Sequence, residues 1–361
     1  MLLLVSVAVL GLSVWRLQAQ RSRLRDEIFA GETPGVIAAA PVVRTPKLEY
    51  EGPFAVAFSP PRNVTPGLVG LVIDGVVDPH DLTATLVDLA ARGYVTIEVV
   101  EGRKKDWMLR VARRGDPDLL RDYELDFLNG IFAGRNEALM SEVVGTRPDV
   151  FRRAAEGLRV EAARQGWYHQ VPDEPAKSNR WPIVLGVGGA LFTLFVSVSV
   201  PALAAAAGFV AAGIVGSRVP RGRVPRTAVG TAVRVQSLGF KQYLATAEAN
   251  QITFEEAADI FSRYLPYAMV FGVATHWAKV FKDVAVQAEA AGVPVMDDLT
   301  WLLAINAAAD LGHLVFALDG LDGIVGGLGE FIGALDGLDG VSDGLGGVLE
   351  GVGDFVGGLF D

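Results

Sequence analysis

Apolar and polar positions arrange this chain into near-continuous apolar blocks, segments with the 3.6-residue period of a helix, and one pair of alternating runs. Residues Met1 to Trp15 are almost wholly apolar, and Arg16, Arg21, Arg23 and Arg25 follow at once. The charges come after the apolar run, and no small-x-small cleavage site stands out. A retained transmembrane helix over 1–17 is therefore expected in preference to a cleaved signal peptide. A second block, Pro182 to Ser217, carries no charge; Lys177 and Arg180 precede it, and Arg218, Arg221, Arg223 and Arg226 follow. As one straight helix it would extend about 54 Å, well beyond a hydrocarbon core of about 30 Å. A membrane hairpin over 182–217, turning near Ser199 and Pro201, fits instead. Its small residues, Gly186, Gly188, Gly189, Ala204 to Gly208 and Gly213, would let two helices approach closely. Lys and Arg mark the cytoplasmic side, which sets the amino terminus outside and most of the chain in the cytoplasm of a cell with an inner membrane.

Between the blocks, Pro34, Pro41, Pro46, Pro53, Pro60 and Pro61 suggest a cytoplasmic linker over 18–64. Asp78 and Pro79 then suit an N-cap and first helical position, Leu82, Leu86 and Leu89 an apolar face, and Gly93 a stop. Val95, Ile97 and Val99 alternate with polar residues, as do Trp107, Leu109 and Val111 beyond a turn with Gly102, Arg103, Lys104 and Lys105; this predicts a β-hairpin with a basic tip. Helix, glycine and hairpin follow one another as in the closing half of a winged-helix unit, so 65–115 reads as a winged-helix-like module with Thr65 to Ile73 as its first helix. Tyr123 to Phe132, Ala138 to Val144 and Pro148 to Gln165 read as helices of a second module over 116–170. Ala162-Ala163-Arg164-Gln165-Gly166-Trp167 there echoes Ala90-Ala91-Arg92-Gly93-Tyr94. The expected fold class is mainly α: a multi-pass membrane protein with transmembrane helices and winged-helix-like cytoplasmic modules bearing a small β-hairpin.

A cytoplasmic helical region over 227–290 contains Gly239-Phe240-Lys241-Gln242-Tyr243-Leu244, Phe261-Ser262-Arg263-Tyr264-Leu265-Pro266-Tyr267-Ala268 and Trp277-Ala278-Lys279-Val280-Phe281. Together with Val77 to Tyr94, these segments resemble the YciQ-like predicted membrane protein family, a bacterial family of unknown function. The resemblance runs roughly from Met1 to Lys282. It implies the same order of parts, namely a span, a cytoplasmic helical region, a membrane hairpin and a second cytoplasmic motif, and it supplies no activity. Members of that family carry an extracytoplasmic β-rich domain before the first span, whereas this chain begins at the span. The last region, 298–361, combines an amphipathic Leu299 to Leu318, where Asn306, Asp310 and His313 share a face, with a Gly-, Leu- and Asp-rich acidic tail. Ala-Leu-Asp-Gly-Leu-Asp-Gly occurs there at 317–323 and 334–340. Its apolar steps of three and four suit a marginal amphipathic helix, a loosely ordered tail being the competing reading.

Composition adds exclusions. The chain has 361 residues, 51% hydrophobic and 20% charged, with a net charge of -10. The acidity lies in the tail beyond Ala291, which holds no Lys or Arg and leaves the body near neutral. Cysteine is absent, which removes disulfides and thiolate chemistry. With no phosphate-binding loop, nucleophile elbow or metal-binding helix pattern, neither an enzyme nor a cofactor, metal or small-molecule substrate is expected. Asp81 and Asp88 on the helix that would enter a major groove weigh against nucleic acid, although the Arg103-Lys104-Lys105 tip would favour it. The expected partners are the lipid bilayer and either another protein or a second copy. Candidate contacts are Arg103, Lys104 and Lys105 with Phe240, Lys241, Tyr264, Tyr267 and Trp277, the aromatic residues having a plain core as their alternative.

Overall fold

A computed structural model describes residues 2–100, 106–112, 115–172, 181–197, 199–218, 223–247, 254–274, 276, 277 and 280. The basic tip at 103–105 and the acidic tail at 298–361 lie outside the described residues. In chain order the elements are α1 (Leu2–Arg23), β1 (Glu27–Phe29), β2 (Val42–Arg44), α2 (Pro66–Asp74), α3 (Pro79–Ala91), β3 (Val95–Val100), β4 (Asp106–Val111), α4 (Asp122–Phe132), β5 (Glu137–Leu139), α5 (Met140–Thr146), α6 (Asp149–Arg164), α7 (Trp181–Val196), α8 (Val200–Ser217), α9 (Ala228–Thr246) and α10 (Phe254–Val270). The fold is mainly helical. It divides into two units, residues 1–53 with 162–233 and residues 54–161 with 234 onward.

The first unit is built on α1, α7 and α8. The hairpin turns where the sequence places it: α7 ends at Val196, Ser199 is the N-cap of α8, and Pro201 falls in the first turn, where its missing N–H costs nothing. Glycines set the approach of these helices. A Cβ on Gly186 would come 2.6 Å from the Phe209 carbonyl oxygen, and one on Gly213 would come 2.6 Å from that of Pro182, so each backbone lies directly on the other. On the opposite flank of α8, a Cβ on Gly208 would come 2.9 Å from the Ser6 hydroxyl of α1. The chain leaving α1 meets the chain leaving α8 again at Asp26 and Arg223, so these two helices run parallel.

Large apolar side chains point away from this packing, with Leu185 71%, Phe195 90% and Val200 81% exposed. Helices that bury glycine and alanine and expose leucine, valine and phenylalanine have their apolar surface turned toward the surroundings, the reverse of a water-soluble bundle. Both α1 and α8 are long and apolar enough to cross a membrane, and α7 is apolar but only 16 residues long. Helix α1 runs to Arg23, beyond the span expected over 1–17, and the Arg44 guanidinium caps its end by donating to the Ser22 and Arg23 carbonyls at 3.1 and 2.6 Å. Part of the expected linker is therefore structured, with β1 and β2 paired antiparallel.

The second unit is organised around α3, on which α2 and α10 pack. Asp78 and Asp81 form the capping box at its start, Pro79 is its first residue, and Gly93, at φ +81°, follows its end. The amphipathic reading of this helix is incomplete: every residue from Asp81 to Leu89 is buried, the acids and threonines included. Glycines on α2 make this possible, since a Cβ on Gly67 would lie 2.4 Å from the Thr85 hydroxyl and one on Gly70 only 1.8 Å from the Asp81 carboxylate. The hairpin of β3 and β4 pairs as read, with Val95, Ile97, Trp107 and Leu109 buried and the terminal Val111 exposed. A third strand, β5, replaces the first turn of the helix expected over Ala138 to Val144. Ala138 pairs with Leu109 of β4, and the Asp106 side chain accepts from the Ser141 N–H at the start of the helix, which is shifted two residues along the chain.

The repeated Ala-Ala-Arg-(Gln)-Gly-aromatic motif marks two equivalent helix ends. The Tyr94 N–H reaches the Leu89 carbonyl and the Trp167 N–H that of Ala162, each across a glycine with positive φ. Glycine packing on α7 gives a direct test. Gly186→Ile should lower the stability of the purified protein in detergent by about 1–3 kcal/mol through overpacking. Gly188→Ile, where a Cβ meets nothing within 4 Å, should leave the unfolding midpoint unchanged.

Candidate functional site

Four candidate residues from the sequence, Phe240, Tyr264, Tyr267 and Trp277, fall in one aromatic cluster of the second unit. Phe240 on α9 stands edge-on to Tyr264 and Tyr267 of α10, with ring centroids 4.9 and 5.6 Å apart, and to Phe271 at 6.1 Å. Tyr243, one turn further along α9, contacts Trp277 at 6.3 Å. Edge-to-face rings of this kind hold two helices in a defined register. The cluster is layered. Phe240, Tyr267 and Trp277 are buried and offer a partner no surface, as the core alternative requires, while Lys241, Tyr243 and Tyr264 are half-buried. The three basic tip residues, Arg103, Lys104 and Lys105, fall outside the described residues.

Beside the aromatic layer lies a group of buried charges that the sequence did not bring together. Arg92 at the end of α3 pairs with Asp88 at 2.8 Å and with Glu124 of α4 at 2.5 Å. The Tyr123 hydroxyl stands 2.6 Å from that of Thr65, and Arg121 pairs with Glu161 at 2.5 Å. Tyr267 joins the two layers by donating to the Val64 carbonyl at 2.7 Å. Asp88 and Glu124 share one arginine. Burial pushes the Asp88 carboxyl up to about 6, the Arg92 charge opposing and the Glu124 charge adding. Burial also raises Asp81 well above the usual carboxylate range. Among the described residues no three His, Asp or Glu side chains are grouped to hold a metal ion.

The first unit has its own charge cluster, where α1 and α8 release the chain. Asp26, fully buried, accepts from the Arg226 backbone N–H at 2.9 Å and from its guanidinium at 3.0 Å, and its other contact is Arg223 at 3.0 Å. Glu49 pairs with Arg223 at 2.6 Å and with Arg226 at 3.3 Å. Read along the sequence, Arg223 and Arg226 are only topology-marking charges. Their carboxylate partners, 174 and 197 residues from Arg223 and 177 and 200 from Arg226, carry no local pattern that would reveal them.

Each charge cluster makes a prediction. Asp88 holds its proton more tightly folded than unfolded, so its contribution to stability is complete below about pH 4 and is lost as the pH rises through about 6, by roughly 1–3 kcal/mol. Asp88→Asn should remove most of that slope when unfolding is followed from pH 4 to 7. Asp26→Ala should cost about 3–5 kcal/mol, because it strands a buried guanidinium. Asp149→Ala, which breaks only an exposed pair with Arg153, should cost about 0–1 kcal/mol in the same unfolding assay.

Comparison with known proteins gives one match. The family model described as the C-terminal domain of a predicted membrane protein (DUF2207) covers residues 55–281, more than half of the chain. No curated protein and no solved structure matches. The matched region starts just before α2, takes in α7 and α8, and ends beyond Trp277, so it contains the aromatic cluster and the buried Asp88–Arg92–Glu124 group, while Asp26 and Glu49 precede it. The chain belongs to this family of predicted membrane proteins, the one its Val77–Tyr94 and Gly239–Leu244 segments resemble.

Proposed function

We propose that the protein is a multi-pass protein of the bacterial inner membrane that crosses the bilayer with α1, α7 and α8 and uses its second unit, a winged-helix-like body, as a scaffold for another protein. The observation that carries the membrane part is the inverted surface of the three helices, small residues inward and large apolar ones outward. Helix register supports it. Counting from the Ser6–Gly208 contact, Trp15 falls level with Ser217 and Arg16 with Arg218, and Trp181 lies beside the same end through the contact of Pro182 with Gly216. Two exposed tryptophans and two arginines at one depth are what a cytoplasmic membrane interface selects. From Val200 to Ser217 the helix rises about 26 Å at 1.5 Å per residue, close to the hydrocarbon thickness. The amino terminus then faces outward.

For the second unit, the burial of α3 favours protein over DNA. A helix that reads base edges presents a free face to the major groove, whereas Asp81 to Leu89 are covered on all sides. In the first module, a DNA-binding regulator would have to rely on Arg103, Lys104 and Lys105 rather than on α3. The scaffold reading predicts that photo-crosslinking residues placed at the exposed Leu119, Leu125 and Val160 and at Tyr243 yield a single protein adduct from at least one position in native membranes. No adduct from any of the four would contradict it. Binding to duplex DNA that falls by about tenfold per tenfold salt for each of the three basic residues present would favour the regulator instead.

A further inference from the structure

We propose that the aromatic face of α9 and α10 is a groove for extended, proline-flanked apolar peptides, and that the chain's own Phe54–Pro60 occupies it as a displaceable strap. The inference deepens the scaffold reading and rests on it: it names the kind of segment a partner would insert.

Residues 54–60 have no regular structure, and among the described residues they make no backbone–backbone hydrogen bond. Their placement is nevertheless defined. The Ala55 carbonyl oxygen lies where Gly239 leaves α9 bare, since a Cβ there would come within 2.3 Å of it. The Phe58 ring stands edge-on to Tyr243 at 5.3 Å, and the Tyr264 hydroxyl donates to the Phe58 carbonyl at 3.3 Å. Beyond the strap, Pro61 and Val64 are buried, and the Tyr267 hydroxyl holds the Val64 carbonyl. An extended segment is thus read by tyrosine hydroxyls on its carbonyls and by ring faces on its side chains. Aromatic-lined grooves that bind proline-rich peptides work in this way, because a stiff extended segment loses little entropy on docking.

The strap is also weakly held. Phe54, Val56 and Phe58 alternate along it with 40%, 47% and 72% of their surface exposed. A core strand would bury such a row. Here one ring contact, one hydroxyl and the backbone seat at Gly239 hold seven residues, while Ser59-Pro60-Pro61 gives a stiff pivot to the buried end. Lifting the strap would uncover Tyr243, Tyr264 and the bare backbone at Gly239, and the incoming peptide would replace like with like.

The test uses the full chain in detergent and a labelled synthetic peptide, Gly-Pro-Phe-Ala-Val-Ala-Phe-Ser-Pro-Pro-Arg, the sequence of residues 52–62. Phe58→Ala weakens the strap and leaves the groove intact, so the peptide should bind that variant about tenfold more tightly than the wild type, which competes with itself. Gly239→Ala added to it should abolish binding, since the new Cβ occupies the site of the peptide carbonyl. Phe54→Ala, which trims a half-covered strap side chain and changes no groove residue, serves as a second loosened variant if Phe58→Ala does not fold. Equal affinity for wild type and loosened variant, binding to neither, or binding that survives Gly239→Ala each overturns the proposal. Failure here with protein adducts still formed by crosslinking would remove the groove and leave the scaffold standing.

Discussion

The buried pair of Asp26 and Arg226 is the interaction on which the architecture of the first unit turns. Neither side chain has solvent to fall back on, so each is tolerable only because the other is there, with Arg223 and Glu49 completing the charge balance. The pair fixes where the chain leaves α1 relative to where it leaves α8. Through the Trp167 carbonyl, which accepts from the Thr227 N–H, it also brings in the segment that precedes α7. Three chain ends are thereby gathered at one end of the helix bundle. In the proposed topology that end is the cytoplasmic interface, and the cluster sits where the bilayer gives way to water, the depth at which arginine can be both charged and partnered.

A similar economy governs the second unit. Its central helix buries acids and threonines as well as leucines, which α2 permits by offering glycines at the two points of closest approach. The polar groups so enclosed must be satisfied internally: Asp81 by the capping box, Thr85 by its own helix, and Asp88 and Glu124 by Arg92. Aromatic contacts between α9 and α10 close the opposite side. The result is a body with a packed interior and one thinly covered face, the face on which the proposed strap lies.

Much of this was legible in the sequence because it is written locally. The apolar blocks, the turn at Ser199 and Pro201, the Asp78-Pro79 start, the Gly93 stop and the alternating hairpin all follow from residues within a turn or two of one another. What escaped is long-range. Strand β5 forms because Leu109 is available to pair with Ala138, and the burial of α3 on every face depends on glycines a helix away. The charge cluster at Asp26 joins residues nearly two hundred positions apart. For the candidate site, the aromatic residues were recognised as a group, but which of them are core and which are surface depends on their angle around α9 and α10. The strap was hidden inside what reads as a linker.

The natural chain contains no cysteine, so single cysteines report position without background. Labelling spheroplasts with a membrane-impermeant maleimide should modify a cysteine at Ser199, at the turn between α7 and α8, and should reach one at Gln170 only after the membrane is opened. Modification of Gln170 in sealed spheroplasts, with Ser199 protected, would contradict the three-span topology and the common cytoplasmic end on which it rests.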